Sequence, residues 1–146
     1  MKTRTKARSV ALQVLFEVDI TGHQPGVVLE HRLAEEEISE EKTVSFITRI
    51  VTGVFPNIKQ LDSFIAQHAP EWPLDQVATI DRNIIRIALW EFAVENCTPI
   101  KVAINEAIEL SKIFGSDSTP RFVNGVLGSL ADRKSEILSS IRNLKE

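Results

Sequence analysis

The stretch RFVNGVLGSL, residues 121–130, carries two incompatible signals. Asn124-Gly125 between apolar residues is a strong hairpin signal, because both residues tolerate positive φ. Phe122, Val123, Val126, Leu127 and Leu130 fall instead at i, i+1, i+4, i+5 and i+8, the spacing of one helix face. The start of the segment decides between them. Thr119 before Pro120 is a cap-plus-proline helix start, and the flanking apolar runs are too short for strands. The same device opens CTPIKVAINEAIELSKIFG, with Thr98 as N-cap, Pro99 at the first helical position and Gly115 just past the end. Two glycines in a helix cost roughly 1 kcal/mol each against alanine. Gly125 and Gly128 are therefore expected to meet a close neighbour, a second helix or else a ligand.

Working outward, every long segment reads as helix. The spacing predicts helices at 4–20, 26–37, 40–55, 57–69, 74–95, 99–114, 119–131 and 134–144, with HAPEWPLD at 68–75 as the clearest break. No sustained period-2 run occurs. The expected fold is all-α: seven to eight helices in two small packed bundles sharing one core, a single domain over residues 1–146. TIDRNIIRIALWEFAV, 79–94, is apolar nearly all round and should be the central helix. Glu91 falls inside its apolar arc and needs a buried partner. A structural ion pair or cap fits better than a catalytic acid, since nothing nearby supports catalysis.

Composition narrows the function. The chain has 146 residues, 43% of them hydrophobic and 25% charged, which is ordinary for a globular protein with a real core. One cysteine, Cys97, precludes an internal disulfide. His23, His31 and His68 are scattered, so no metal site is expected, and no cofactor motif is present. Phosphate-binding loops, nucleophile elbows and zinc-protease motifs are absent, so the chain does not read as an enzyme. Its start resembles a signal peptide only until Gln13, Glu17 and Asp19 interrupt the apolar run, and no segment approaches the ~18 apolar residues of a membrane span. A cytosolic location is expected.

Net charge is −3, but it is unevenly spread. Lys2, Arg4, Lys6 and Arg8 stand without an acid among residues 1–8, whereas residues 30–41 hold six glutamates against Arg32. Such an arm suits an anion, or is a solvated tail. Positive charge at a helix N-terminus opposes the macrodipole, so this end should fray when free. The first helix is apolar on two sides: a broad face from Ala7 to Val18, and a second stripe of Leu12, Phe16 and Ile20. The stripe is either buried or a protein-binding patch. FGSDST, 114–119, joins an aromatic ring to hydroxyls at a helix start, which suits base stacking and phosphate binding but also an ordinary turn.

KVAINEAIEL at 101–110, FVNGVL at 122–127, DRNIIRIALWE at 81–91 and ARSVALQVLFEVD at 7–19 together resemble the NusB family of bacterial transcription antitermination factors, across essentially the whole chain. The resemblance implies a non-enzymatic, two-bundle helical protein. Such a protein binds the boxA element of ribosomal RNA leader transcripts jointly with the ribosomal protein NusE, and helps RNA polymerase read through terminators. It implies that Lys2, Arg4, Lys6 and Arg8 contact RNA, with Phe114, Ser118 and Phe122 as a second RNA region. Ser118 stands where the family usually has an acid. It also implies that Phe16, flanked by Leu12 and Ile20, and Asp81 face the protein partner. Some relatives form homodimers through the RNA-binding face, which the two-sided first helix would permit. A NusB-like module also precedes the catalytic domain of some ribosomal RNA methyltransferases. No methyltransferase sequence follows here, which favours a free factor. A purely protein-binding helical adaptor is the remaining alternative.

Overall fold

The apolar spacing folds as helix throughout. The computed structural model describes residues 2–69 and 76–145, with side chains through Ser140. Its elements are α1 (Thr3–Thr21), α2 (Pro25–Glu35), α3 (Glu41–Val54), a 3₁₀ turn (Phe55–Asn57), α4 (Ile58–His68), α5 (Thr79–Leu89) running on as a π-helical segment (Trp90–Val94), α6 (Ile100–Phe114), α7 (Thr119–Asp132) and α8 (Lys134–Lys145). No strand occurs among the described residues. The hairpin reading of Asn124-Gly125 fails, because both residues lie inside α7.

The helices form two groups. In the first, α1 packs on α2 and α3. In the second, α5, α6 and α7 pack on one another with α4 alongside, and α8 reaches the π-helical segment. The contact of α1 with α5 joins the groups into one continuous core. On α5, Ile84, Ile85, Ile87, Ala88 and Leu89 are all buried, as is Phe92 just beyond it, so this helix is central. Each large aliphatic buried there contributes about 1.5–3 kcal/mol. Arg86, also buried, ties α5 to its neighbours: Nε and Nη2 donate to the Asp62 carboxylate on α4 at 2.8 and 2.7 Å, and Nη1 donates to Asp19 Oδ2 on α1 at 3.1 Å.

Several local expectations change. The break at 68–75 falls largely on residues 70–75, outside the described residues. Residues 76–78 are non-helical, so α5 begins at Thr79 rather than at 74. Neither expected threonine caps its helix. The Thr98 hydroxyl donates to Glu91 Oε1 at 2.9 Å, and the α6 N-cap position falls on Pro99. Thr119 sits in the first turn of α7. Nothing lies within 4 Å of where a Cβ would stand at Gly125 or Gly128, so the expected close neighbour is absent. Close approach matters elsewhere. A Cβ at Gly53 would lie 2.3 Å from the Trp90 indole, and one at Gly115 would lie 2.5 Å from the Thr119 side chain.

Candidate functional site

The candidate residues lie along α1 and the elements that flank it, and the two ends of the helix differ in chemistry. At the N-terminal end, Lys2 and Arg4 are exposed. The Arg4 guanidinium lies 3.9 Å from the centroid of the Phe46 ring on α3, a cation–π contact worth about 0.5–1 kcal/mol at an exposed site. Lys6 donates to Glu36 Oε2 at 2.6 Å, and the Thr5 hydroxyl donates to Glu106 Oε2 at 2.9 Å. These contacts oppose the fraying expected of the arm: α1 is helical from Thr3, with acids from α6 and the α2–α3 loop standing near its first turns.

Arg8 departs from the expected arm. It is 5% exposed, and its fork closes on Glu91: Nε donates to Oε2 at 2.9 Å and Nη2 to Oε1 at 2.8 Å. Glu106 lies 3.6 Å from Nη1. Burial works against the charge, but the hydrogen bonds and charge of Glu91, with Glu106 behind it, outweigh burial and hold the Arg8 pKa above its usual value. Arg8 is therefore the buried partner that Glu91 requires, and its placement as an RNA contact is withdrawn. Helical spacing put Arg8 on one face with Arg4; it could not show that this face turns inward within one turn.

At the other end of α1, Phe16 and Ile20 are 37% and 60% exposed. They line a groove of about 540 Å3 with Gln13, Arg32, Ile80 and Phe114. Leu12, expected beside them, is fully buried in the core and is withdrawn as a partner contact. The stripe 12-16-20 turns from core to surface as it passes up the helix. Arg32 and Ile80 were not foreseen. Arg32 Nη1 donates to Gln13 Oε1 at 2.9 Å, fixing the polar rim. Ile80, which lies in the 79–94 segment expected to be apolar nearly all round, is half-buried and lines the groove.

Phe114, Ser118 and Phe122 divide. Phe114 belongs to the groove with Phe16, and Phe16 lies about 18 Å along α1 from Arg4, twelve residues of helical rise. Ser118 is exposed and Phe122 half-buried, packed on the core. The 114–119 loop is braced from α5: the Ser116 N–H donates to Thr119 Oγ1 at 2.9 Å, and Thr119 Oγ1 donates to Asp81 Oδ1 at 3.1 Å. Burial raises the Asp81 pKa above the usual carboxylate value, and the Thr119 hydroxyl partly offsets it. Asp81 thus sits beside the groove holding the loop. Among the described residues, no His, Cys, Asp or Glu cluster could hold a metal ion, and no helix is long and apolar enough to cross a membrane.

Fold and surface together define an all-helical binding protein, with an apolar groove and a basic end on one helix. The model of the NusB family matches residues 5–132, and the chain belongs to that family. It is 47% identical over 132 residues to the transcription antitermination protein NusB of Chloroflexus aggregans, covering 89% of this chain and 87% of the relative. It is 44% identical over 140 residues to that of Bacillus subtilis, covering 96% and 100%. Among solved structures it resembles T. maritima NusB at 31% identity with a TM-score of 0.80, covering 93% of this chain and 99% of the other. A crystal structure of antitermination factors NusB and NusE with dsRNA shares the fold, with a TM-score of 0.82 at 24% identity, covering 90% and 98%.

Proposed function

We propose that this chain is a transcription antitermination factor that binds boxA RNA of ribosomal RNA leader transcripts together with NusE, and so helps RNA polymerase pass terminators. In this reading the whole chain, 1–146, works in the cytoplasm as one RNA-binding domain and carries out no chemistry of its own. The observation that carries it is the exposed Phe16–Ile20–Ile80–Phe114 groove on the same helix as the exposed cations, in a chain matched to the family over 5–132. Phe16 and Ile20 supply the protein anchor, with Asp81 beside them. Lys2, Arg4 and Lys6 supply phosphate contacts, and Phe114, Ser118 and Phe122 form the second RNA region. A second copy of the chain is the competing occupant of the RNA-binding face, giving a homodimer.

Titration of boxA-like and scrambled RNA, with and without NusE, tests the proposal. The expected result is tighter binding to boxA in the presence of NusE. Three arm contacts to a single strand should give a log–log salt slope near −2. Equal affinity for both RNAs, unmoved by NusE, would overturn it.

A further inference from the structure

The two longest acid-free stretches of the chain are residues 1–16 and 42–61. In a protein with 20 acids among 146 residues, such gaps gather cations without acids of their own, although Glu36, Glu40 and Glu95 reach them from neighbouring segments. The fold lays the two side by side, since α1 packs along α3. Arg4, Lys42 and Thr43 line one shallow pocket of about 190 Å3, and Glu40, at its edge, accepts a hydrogen bond from the Thr43 hydroxyl. From there Lys42, Ser45, Arg49 and Thr52 are exposed at three- and four-residue intervals, one outward stripe of α3. The stripe runs about 15 Å and ends in a cleft of about 480 Å3 lined by Arg49, Thr52, Asn57 and Gln60, with Phe64 and Trp90 among its walls. Glu95, 3.9 Å from Arg49, is the acid that faces it.

The chemistry is specific. Cations spaced along a helix suit successive phosphates, hydroxyls suit sugar and phosphate oxygens, and side-chain amides pair with base edges. The cleft falls in the size range of small-ligand sites, and Phe55, 40% exposed, lies in the adjoining 3₁₀ turn. Among the described residues of α3 and the 3₁₀ turn, Phe55 is the one exposed large hydrophobic side chain, which argues against a protein anchor. We propose that the outer face of α3 is a second RNA track: single-stranded RNA leaving the arm passes over Lys42 and Arg49 and seats a base in the Thr52–Asn57–Gln60 cleft. The proposal rests on the RNA-binding reading above and extends it to nucleotides beyond those held by the arm.

The test compares a boxA-length RNA with the same RNA extended on either side, by fluorescence anisotropy at several salt concentrations. Lys42→Ala combined with Arg49→Ala should weaken binding of the extended RNA about tenfold, and flatten its salt slope by about 1.4 for two phosphates. Binding of the short RNA should be unchanged, and thermal melts should show the variant folded. Glu95→Gln should tighten the extended RNA alone. Equal losses on both lengths, or no loss on either, overturn the track. Loss of both RNAs on Lys2→Ala with Arg4→Ala would leave the general reading standing in those cases. If the unaltered protein binds neither RNA, both readings fall. Anionic vesicles or an acidic peptide bound through Lys42 and Arg49 in place of RNA would also overturn the track.

Discussion

Arg4 and Arg8 are one turn apart on α1, and both lie near the Phe46 ring, at 3.9 and 5.2 Å from its centroid. One is exposed and the other is sealed against Glu91 and Thr98. The opposite end of the same helix repeats the contrast in apolar form, with Leu12 buried and Phe16 and Ile20 at the surface. Identical residue types four positions apart thus have opposite work, one holding the bundles together and one available to a ligand. A charge count along a sequence measures neither.

The contrast is broken most directly by truncating the two arginines. Arg8→Ala leaves Glu91 buried without its cation, and should cost about 3–5 kcal/mol. Arg4→Ala forfeits only an exposed cation–π contact of about 0.5–1 kcal/mol. Urea denaturation of both variants checks this, and equal losses would erase the distinction. At the apolar end, Phe16→Ala should remove about 2 kcal/mol or more of affinity for NusE, read by calorimetry beside a melt. Because Phe16 is partly exposed, its stability cost should stay below that of Leu12→Ala, about 2–5 kcal/mol. Gly125→Ala should raise stability by up to about 1 kcal/mol, since open space surrounds that position.

The smallest effect concerns Asp81. Its folded-state pKa lies above the ordinary carboxylate value, so the folded form binds the proton more readily than the unfolded chain. Stability from this group therefore rises as pH falls from neutrality through the folded pKa, and levels off below the unfolded one. Asp81→Asn retains an acceptor for the Thr119 hydroxyl and lacks the charge. It should lose this component of the pH dependence, seen as a flatter melting temperature profile between neutral and mildly acidic pH. A profile unchanged from that of the unaltered protein would place the titration elsewhere.

Helix identity was legible wherever apolar residues recur at three and four, because packing and local spacing agree there. The central place of the 79–94 segment and the need of Glu91 for a partner followed from the same logic. The partner's identity did not, since Arg8 lies 83 positions away and meets Glu91 only through the packing of α1 on α5. Thr98 and Thr119 matched a capping pattern, yet their hydroxyls serve Glu91 and Asp81, contacts that no local rule encodes. The sequence pattern places Phe114 at the end of a helix beside a hydroxyl-rich loop. Its place in the groove with Phe16 depends on how α6 lies beside α1.

The seating of Arg4 on the Phe46 ring bears on how quickly the protein captures an anion. A free arginine on a flexible tail loses rotamer and backbone freedom when it grips a phosphate. Here the backbone is already helical at Thr3 and the guanidinium already rests on a rigid aromatic surface. Most of that ordering precedes the encounter, so the cation is presented in a narrow set of orientations. On the proposed reading, in which Arg4 grips phosphate and the groove takes a protein, the spacing between the two along α1 is set by the helix itself.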